Sequence, residues 1–458
     1  MSEPGPRRRH ERVLVFGAGV TGRAVAESLA RRGAQVVMAD DHATADHARW
    51  AEGAGVEWVG APDATATAAL VRECDLIVPA PGLPERHPLF AAAESAGTPV
   101  HGELDLAAQW DPRPCLAVTG TNGKTTVVTL ATEMLRASGV RATSAGNTEV
   151  PLVAAIEDPE PEVFVVEASS FRLATATEFR PTVGTWLNFA PDHLDVHASL
   201  ASYEAAKARI WRGLGADPSR LAVANGDDAV VMAHAASLPS VQTFGFATRD
   251  RTPDWGLAVD AALSTPAHEM WADPHELWSD RPFDLANVQA AAATARAGGA
   301  TAEGTRQAAL AFRGLPHRVE LVGEADGVRY YDDSKATTPH AAMAAVRSAS
   351  ASKVVLIAGG RNKGIDLSEL ASLAPRLRVV IAIGEAGPTI ARIFAAADVA
   401  VTSAASMDEA VAAAADAAQP GDAVLLSPGC ASFDWYADYA ARGDHFARVC
   451  RARMGVRA

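Results

Sequence analysis

Eight consecutive residues, Thr119-Gly120-Thr121-Asn122-Gly123-Lys124-Thr125-Thr126, combine the types that hold a chain of phosphates. Glycines let backbone amides converge on the anion, a lysine bridges the outer phosphates, and a hydroxyl suits Mg²⁺. The run departs from G-x-x-x-x-G-K-[ST] because Val118 stands where the first glycine would be. A second glycine loop, Gly17-Ala18-Gly19-Val20-Thr21-Gly22, has Asp40 at the end of the next apolar run. That spacing fits a dinucleotide fingerprint, and it also fits a tight strand-to-helix turn with no ligand. Glu167 closes the apolar run VFVVEA, where a carboxylate beside a phosphate loop can hold Mg²⁺ or cap a helix. His193, in Asn188-Phe189-Ala190-Pro191-Asp192-His193-Leu194-Asp195, could ligate a second metal, touch a transferred phosphate or simply be paired structurally. Lys207 lies in an alanine-rich helical stretch, as a functional cation or an ordinary surface charge.

The elements that must position these residues alternate in type. Arg12–Phe16 predicts a strand, Val20–Arg32 a helix, Gln35–Ala39 and Cys74–Ala80 further strands. Strand-helix alternation implies right-handed βαβ units on a parallel sheet. Trp110-Asp111-Pro112-Arg113-Pro114 reads as a linker, after which a strand at Cys115, a helix at Thr125–Ser138 and strands at Val163–Ala168 and Thr182–Ala190 follow. The stretch 250–280, rich in Trp, Pro and His, reads as an irregular or antiparallel insertion, and Asp284–Gly298 as a helix. A second linker is expected at Arg313-Gly314-Leu315-Pro316, then a hairpin around Ala325-Asp326 and strands at Lys353–Gly360, Val379–Gly384 and Ala423–Gly429. The expected organisation is α/β in three domains: 1–110 Rossmann-like, 111–314 a central P-loop parallel-sheet domain, and 315–458 a second Rossmann-like domain.

Composition narrows the function classes. The chain has 458 residues, enough for about three domains. Hydrophobic residues make up 48% and charged residues 21%, which excludes a wholly disordered chain. A net charge of −14 disfavours non-specific nucleic-acid binding. Four scattered cysteines predict reduced thiols. No apolar run approaches the ~20 residues of a membrane helix. Arg7, Arg8 and Arg9 precede too short an apolar stretch for a signal peptide and predict a frayed tail.

The motifs TGTNGKTT, EASSF, NFAPDHLD, YEAAKARI, GLPHR, DDSKATT, GGRNKG and SPGCASFD stand in the order found in Mur ligases. The chain resembles that family from Gly17 to about Phe446. EASSF, DSKATT and SPGCASFD favour its D-glutamate-adding branch. The resemblance implies ATP-dependent amide synthesis in the cytoplasm by a monomer, with ATP, UDP-N-acetylmuramoyl-L-alanine and D-glutamate as substrates and neither nucleic acid nor membrane insertion. The substrate carboxylate is phosphorylated, the amine attacks the acyl phosphate, and phosphate leaves a tetrahedral intermediate.

Site residues follow from the same resemblance. Gly120, Thr121, Asn122, Gly123, Lys124, Thr125 and Thr126 would cradle the ATP phosphates, with Asn287, His317, Arg318 and Asp333 on the adenosine side. Thr125 and Glu167 would hold one Mg²⁺ and His193 would stand at a second. Lys207 matches the family's carbamylated lysine, and Lys124, His193 and Lys207 would be catalytic. Val20, Thr21, Asp40, Gly82 and Asn147 would contact the UDP-substrate. Lys335, Thr337, Lys363, Ser432 and Tyr439 would form the amino-acid pocket. Tyr439 departs from an expected phenylalanine and Asp41 from an expected hydroxyl residue. Three readings compete with this one, one of them a sister ligase of the alanine-adding or folylpolyglutamate type, which amino-acid competition would separate. An NAD(P)-dependent oxidoreductase leaves GTNGKTT unused, and a P-loop switch leaves DSKATT and SPGCASFD unused.

Overall fold

A computed structural model describes residues 11–147, 150–214, 217, 219–247, 252–257, 263–266 and 270–455. The expected tail at Arg7–Arg9 lies outside the described residues. The described residues form three sheets, each flanked by helices.

The first sheet has four parallel strands in the order Glu57–Gly60, Gln35–Ala39, Arg12–Phe16, Leu76–Pro79. Its order reverses at Arg12–Phe16, and ligands of open α/β sheets settle at the carboxyl ends of strands beside such a reversal. The Gly17–Gly22 loop and the Pro81–Gly82 turn follow the two strands that meet there. The loop runs directly into the helix Val20–Arg31, and the close turn requires glycine: a Cβ on Gly22 would strike the Gly17 carbonyl.

The second sheet has nine strands. Its parallel part runs Trp255–Leu257, Val241–Phe246, Leu221–Asn225, Val183–Trp186, Cys115–Thr119, Val163–Glu167, Ala142–Gly146. Leu263–Ser264 and Met270–Ala272 extend it antiparallel beyond Trp255–Leu257, as expected of an insertion here. The inner strands CLAVT and VFVVE are near-continuous apolar runs because helices cover both faces. The helix Lys124–Ala137 starts at the phosphate loop and buries Val127, Val128, Leu130, Ala131, Met134 and Leu135. The strand expected over Thr182–Ala190 stops at Trp186, because Asn188 turns out of the ladder to bond the phosphate loop. These two sheets belong to one compact unit with a shared apolar core, including Leu104, Leu152, Phe164 and Trp186.

The third sheet belongs to a second unit, formed mainly by Arg313–Ala458 with Ala190–Leu194 and Trp278–Leu285. Its order is Glu320–Ala325, Val328–Asp332, Ala423–Leu426, Val354–Gly359, Leu377–Ile383, Ala400–Ser403. The first two strands form the expected antiparallel hairpin, and the others pair in parallel. Apolar layers on the sheet are built from Val354, Leu356, Val380 and Phe394 in one cluster and Val355, Ile357, Val424 and Phe446 in another.

Candidate active site

The phosphate loop is held open from three directions. Thr121 N donates to the Asn188 carbonyl (3.1 Å), Asn122 N donates to Asn188 Oδ1 (2.9 Å), and Asn188 Nδ2 returns a bond to the Asn122 carbonyl (3.0 Å). Gly123 adopts φ +90°, and a Cβ there would collide with the Asn287 side-chain oxygen. Asn287, expected on the adenosine side, therefore packs against the loop. Lys124 Nζ folds over the loop, donating to the carbonyls of Gly120 (2.8 Å) and Thr121 (2.9 Å). Thr125 is half-buried, while Thr126 is buried and its hydroxyl has no hydrogen-bond partner.

Glu167 ends the strand adjacent to the one that leads into the loop. One carboxylate oxygen accepts from Asn147 Nδ2 (3.1 Å), and the other is buried with no hydrogen-bond partner. A buried carboxylate oxygen left unsatisfied is costly unless a cation or donor completes it. A buried carboxylate oxygen without a partner is a hard-oxygen donor of the kind Mg²⁺ takes, and a phosphate-loop hydroxyl and phosphate oxygens would complete such a set. These residues fit the ion.

Lys207 is 1% exposed, which settles the surface-charge reading against it. Its Nζ donates to the Gly120 carbonyl (2.8 Å) and lies 4.6 Å from the Tyr203 ring centre. The Tyr203 hydroxyl is 3.1 Å from Thr121 Oγ1. Helix Leu200–Ala208, opened by a Ser199–Ser202 capping box, thus carries both side chains to the phosphate loop.

On the first sheet, Asp40 braces the glycine loop: Oδ2 accepts from Ala18 N (2.7 Å) and Oδ1 from His42 N (2.8 Å). Val20 is exposed beside it. Thr21 Oγ1 accepts from Arg172 Nη2 (3.0 Å). Arg172 sits on the short helix Ser170–Ala174 that follows Glu167, and its guanidinium also pairs with buried Glu103. Asp41 faces His87 Nε2 at 3.2 Å. Gly82 lines a cavity of about 310 Å³ together with Leu83, Phe90, Phe171 and Arg209.

The second unit gathers the remaining expected residues into two places. Lys363 Nζ meets Asp192 Oδ1 at 3.1 Å, and His193 Nε2 lies 3.2 Å from Asp192 Oδ2. Burial would raise the Asp192 carboxyl, but Lys363 and His193 outweigh it and hold it below its ordinary value. His193 adopts φ +57°, so the backbone is bent to present this ring. Lys363, expected in the amino-acid pocket, is here bound to the Asp192-His193 segment.

Around the hairpin, His317 Nδ1 lies 2.6 Å from Asp332 Oδ2, and this bond outweighs burial to raise the imidazole above its usual value. Asp333 accepts from Ser427 Oγ (2.6 Å), and burial pushes its carboxyl up to about 7 despite that bond and nearby Arg318. Lys335 Nζ lies 3.6 Å from the Tyr439 ring centre, and Thr337 N donates to the Lys335 carbonyl (2.8 Å). Ser432 is buried, with its carbonyl capping the turn at Trp435-Tyr436. Buried Arg442 ties the two loops that carry these residues, donating to the carbonyls of Ser334 (2.8 Å) and Cys430 (3.2 Å).

Sequence reasoning did not single out Arg172, Glu103, Tyr203, Asn188 or Arg442 as parts of this machinery. Tyr203 and Asn188 stood inside quoted motifs. Arg172 and Arg442 offered a weaker signal, an arginine among residues that a helix would bury.

The arrangement is that of a P-loop α/β ligase, and comparison with known proteins gives the class. The Mur ligase MurD-like N-terminal domain matches residues 11–102, the Mur ligase middle domain 118–267, and the Mur ligase glutamate ligase domain 317–430. The chain belongs to the Mur ligase family. The UDP-N-acetylmuramoylalanine--D-glutamate ligase of Frankia casuarinae is 43% identical, across 97% of this chain and 94% of that protein. The ligase of the same name from Pelotomaculum thermopropionicum is 38% identical, across 96% and 97%. Among solved structures, a pseudomurein peptide ligase type C from Methanothermus fervidus matches with a TM-score of 0.61 at 17% identity, covering 97% of this chain and all of that one, which supports the fold. No helix among the described residues is long and apolar enough to cross a membrane.

Proposed function

We propose that this chain joins D-glutamate to UDP-N-acetylmuramoyl-L-alanine with ATP as phosphoryl donor, acting as a monomer in the cytoplasm in peptidoglycan precursor synthesis. The observation that carries the reading is the phosphate loop itself, with Glu167 and Lys207 buried against it, in a chain that matches D-glutamate ligases along nearly its whole length.

The amides and Lys124 of the loop grip the ATP phosphates and hold the γ-phosphate in line with the substrate carboxylate. Asn287 meets the adenosine side at the loop, and His317, Arg318 and Asp333 are assigned to it as well. Thr125 and Glu167 hold Mg²⁺, which when bound offsets the charge that accumulates on the transferring phosphoryl group. A second Mg²⁺ is assigned to His193. Val20, Thr21 and Gly82 hold the UDP-substrate, with Asp40 fixing the glycine loop and Asn147 oriented by Glu167. Lys335, Thr337, Lys363, Ser432 and Tyr439 receive D-glutamate, where two cations suit a dicarboxylate.

Lys207 is assigned as a carbamate. CO₂ adds to the neutral amine, an N–C bond forms and a proton leaves, so an ammonium becomes an oxygen donor that suits Mg²⁺. Its burial at the Gly120 carbonyl supports this reading, because it brings the amine to the phosphate loop, where the metal is assigned.

Phosphate release from ATP with UDP-N-acetylmuramoyl-L-alanine tests the reading, comparing D-glutamate, L-glutamate, L-alanine and no amino acid. Release only with D-glutamate, with a product heavier by one glutamyl unit, is expected. Release with another amino acid moves the specificity, and no release with any of them overturns the reading.

A further inference from the structure

Three side chains outside the assigned roles form a continuous chain of hydrogen bonds. His197 Nδ1 lies 2.7 Å from Glu85 Oε1, and Nε2 lies 2.9 Å from Ser170 Oγ. His197 is 1% exposed and Ser170 is 2% exposed. Burial would raise the Glu85 carboxyl, but bonds from Ala198 N and His197 outweigh it and hold it below its ordinary value. A carboxylate only accepts, so Nδ1 carries the ring proton; in the neutral ring Nε2 then accepts the Ser170 hydroxyl proton.

The sequence Ser–His–acid invites a nucleophilic reading, which the geometry rejects. Glu85 and His197 line the 310 Å³ cavity beside Gly82, but Ser170 is not among its lining residues. A hydroxyl shut away from the cavity meets no substrate. What the chain does connect is informative. Glu85 lies three residues beyond Gly82, and its own amide donates to the Val196 carbonyl (3.0 Å) while its second oxygen accepts from Ala198 N (2.9 Å). Ser170 opens the helix that follows Glu167. The ring between them is packed against Phe171 (5.7 Å, near-parallel) and Tyr203 (5.1 Å).

We propose that Glu85, His197 and Ser170 form a positioning relay, tying the Pro81–Leu83 turn that receives the UDP-substrate to the helix behind the Mg²⁺-holding carboxylate Glu167. The proposal rests on the assignment of Gly82 and Glu167 given above. Seating the substrate fixes the turn, the turn fixes Glu85, and the relay fixes the start of the Ser170–Ala174 helix. The three are positioning residues, since none touches the reacting atoms.

His197→Phe keeps the ring packing and removes both hydrogen bonds. The expected result is a rise of about tenfold in KM for the UDP-substrate and in half-saturating Mg²⁺ together, with KM for D-glutamate unchanged. Glu85→Ala and Ser170→Ala each break one link, so the double variant is expected to be no worse than the more affected single one. Glu85→Gln keeps KM for the UDP-substrate and half-saturating Mg²⁺ near the wild-type values, because its amide donates to Nδ1 and the ring then donates to Ser170 from Nε2. If the single effects multiply in the double variant, or if half-saturating Mg²⁺ does not move, the relay is overturned. If His197→Phe fails to fold, the Glu85 and Ser170 variants carry the test. Half-saturating Mg²⁺ for binding of a fluorescent ADP analogue, with and without UDP-N-acetylmuramoyl-L-alanine, is measured on every variant. The relay is therefore decided by that readout even where wild-type protein makes no D-glutamyl product, an outcome that refutes the assigned reaction separately.

Discussion

Arg172→Met removes one partner of a buried ion pair and leaves the other in place. The Arg172 and Glu103 side chains are 4% and 1% exposed. Glu103 cannot escape to water, because its Oε1 also accepts from Val153 N at 3.1 Å. Breaking such a pair costs about 3–5 kcal/mol, chiefly the penalty of an uncompensated buried charge. Loss of the bond to Thr21 adds roughly 1 kcal/mol. Against a typical stability of about 5–15 kcal/mol, that is a large fraction. Urea unfolding followed by tryptophan fluorescence reads it, since Trp50 and Trp110 pack on the core of this unit. At a slope of about 3 kcal/mol/M, the midpoint falls by roughly 1.3–2 M. Glu103→Gln in the same chain removes the charge and keeps an acceptor for Val153, so the double variant recovers most of the loss and stays within about 2 kcal/mol of wild type. KM for the UDP-substrate rises in both variants, because Thr21 loses its donor in both. A midpoint shift under about 0.3 M for Arg172→Met refutes the reasoning. So does a double variant no more stable than the single one, since the cost would then not be an unpaired charge.

Other expectations follow from the same geometry. Glu167→Gln raises half-saturating Mg²⁺ by about tenfold or more, roughly the worth of one charged ligand contact; an unchanged Mg²⁺ dependence removes Glu167 from the metal site. Lys207→Ala loses activity that short-chain carboxylic acids restore in part, and bicarbonate raises wild-type activity in CO₂-depleted buffer. Absence of both effects argues against the carbamate. Asp333 gives a pH signature. Burial, the largest influence, pushes its carboxyl from 3.8 up to about 7. Between those values the folded chain binds the proton and the unfolded chain does not, so the contribution is full below 3.8 and lost as pH rises through about 7. Unfolding midpoints between pH 5 and 8 should therefore fall more steeply in wild type than in Asp333→Asn. Parallel pH profiles would show that Asp333 is not the group responsible.

What could be read from the sequence was whatever is local. The phosphate loop, Glu167 at a strand end and the hairpin before Asp333 are each contained in a dozen residues, and each stands where the spacing placed it. Strands at the sheet edges were harder. Ala142–Gly146, Ala400–Ser403 and Glu57–Gly60 end their sheets. They carry alanine, glycine, serine or glutamate where a central strand carries valine and isoleucine, so no apolar run marks them. Side-chain partnerships were hidden for a different reason. Arg172 reads as one more arginine until folding sets it against Glu103, 69 residues earlier, and Thr21, 151 residues earlier.

These long-range partners share an address. The five residues Ser170–Ala174 hold Ser170 to His197, Arg172 to Glu103 and Thr21, and Thr175 just beyond them accepts from Gly102 N at 3.1 Å. A helix this short has little stability of its own, so its position is set by what it touches. Thr21 lies on the helix that follows the glycine loop, Gly102 and Glu103 open the helix Glu103–Trp110, His197 links on to Glu85, and Arg209, just after the helix Leu200–Ala208, donates to the Leu173 carbonyl (3.2 Å). The backbone immediately after Glu167 is therefore held jointly by residues of positions 21–103 and by the segment 197–209, while Glu167 itself belongs to the sheet that bears the phosphate loop. On the proposed assignment, in which the substrate carboxylate and the ATP phosphates are held by different domains, this joint would fix their registration.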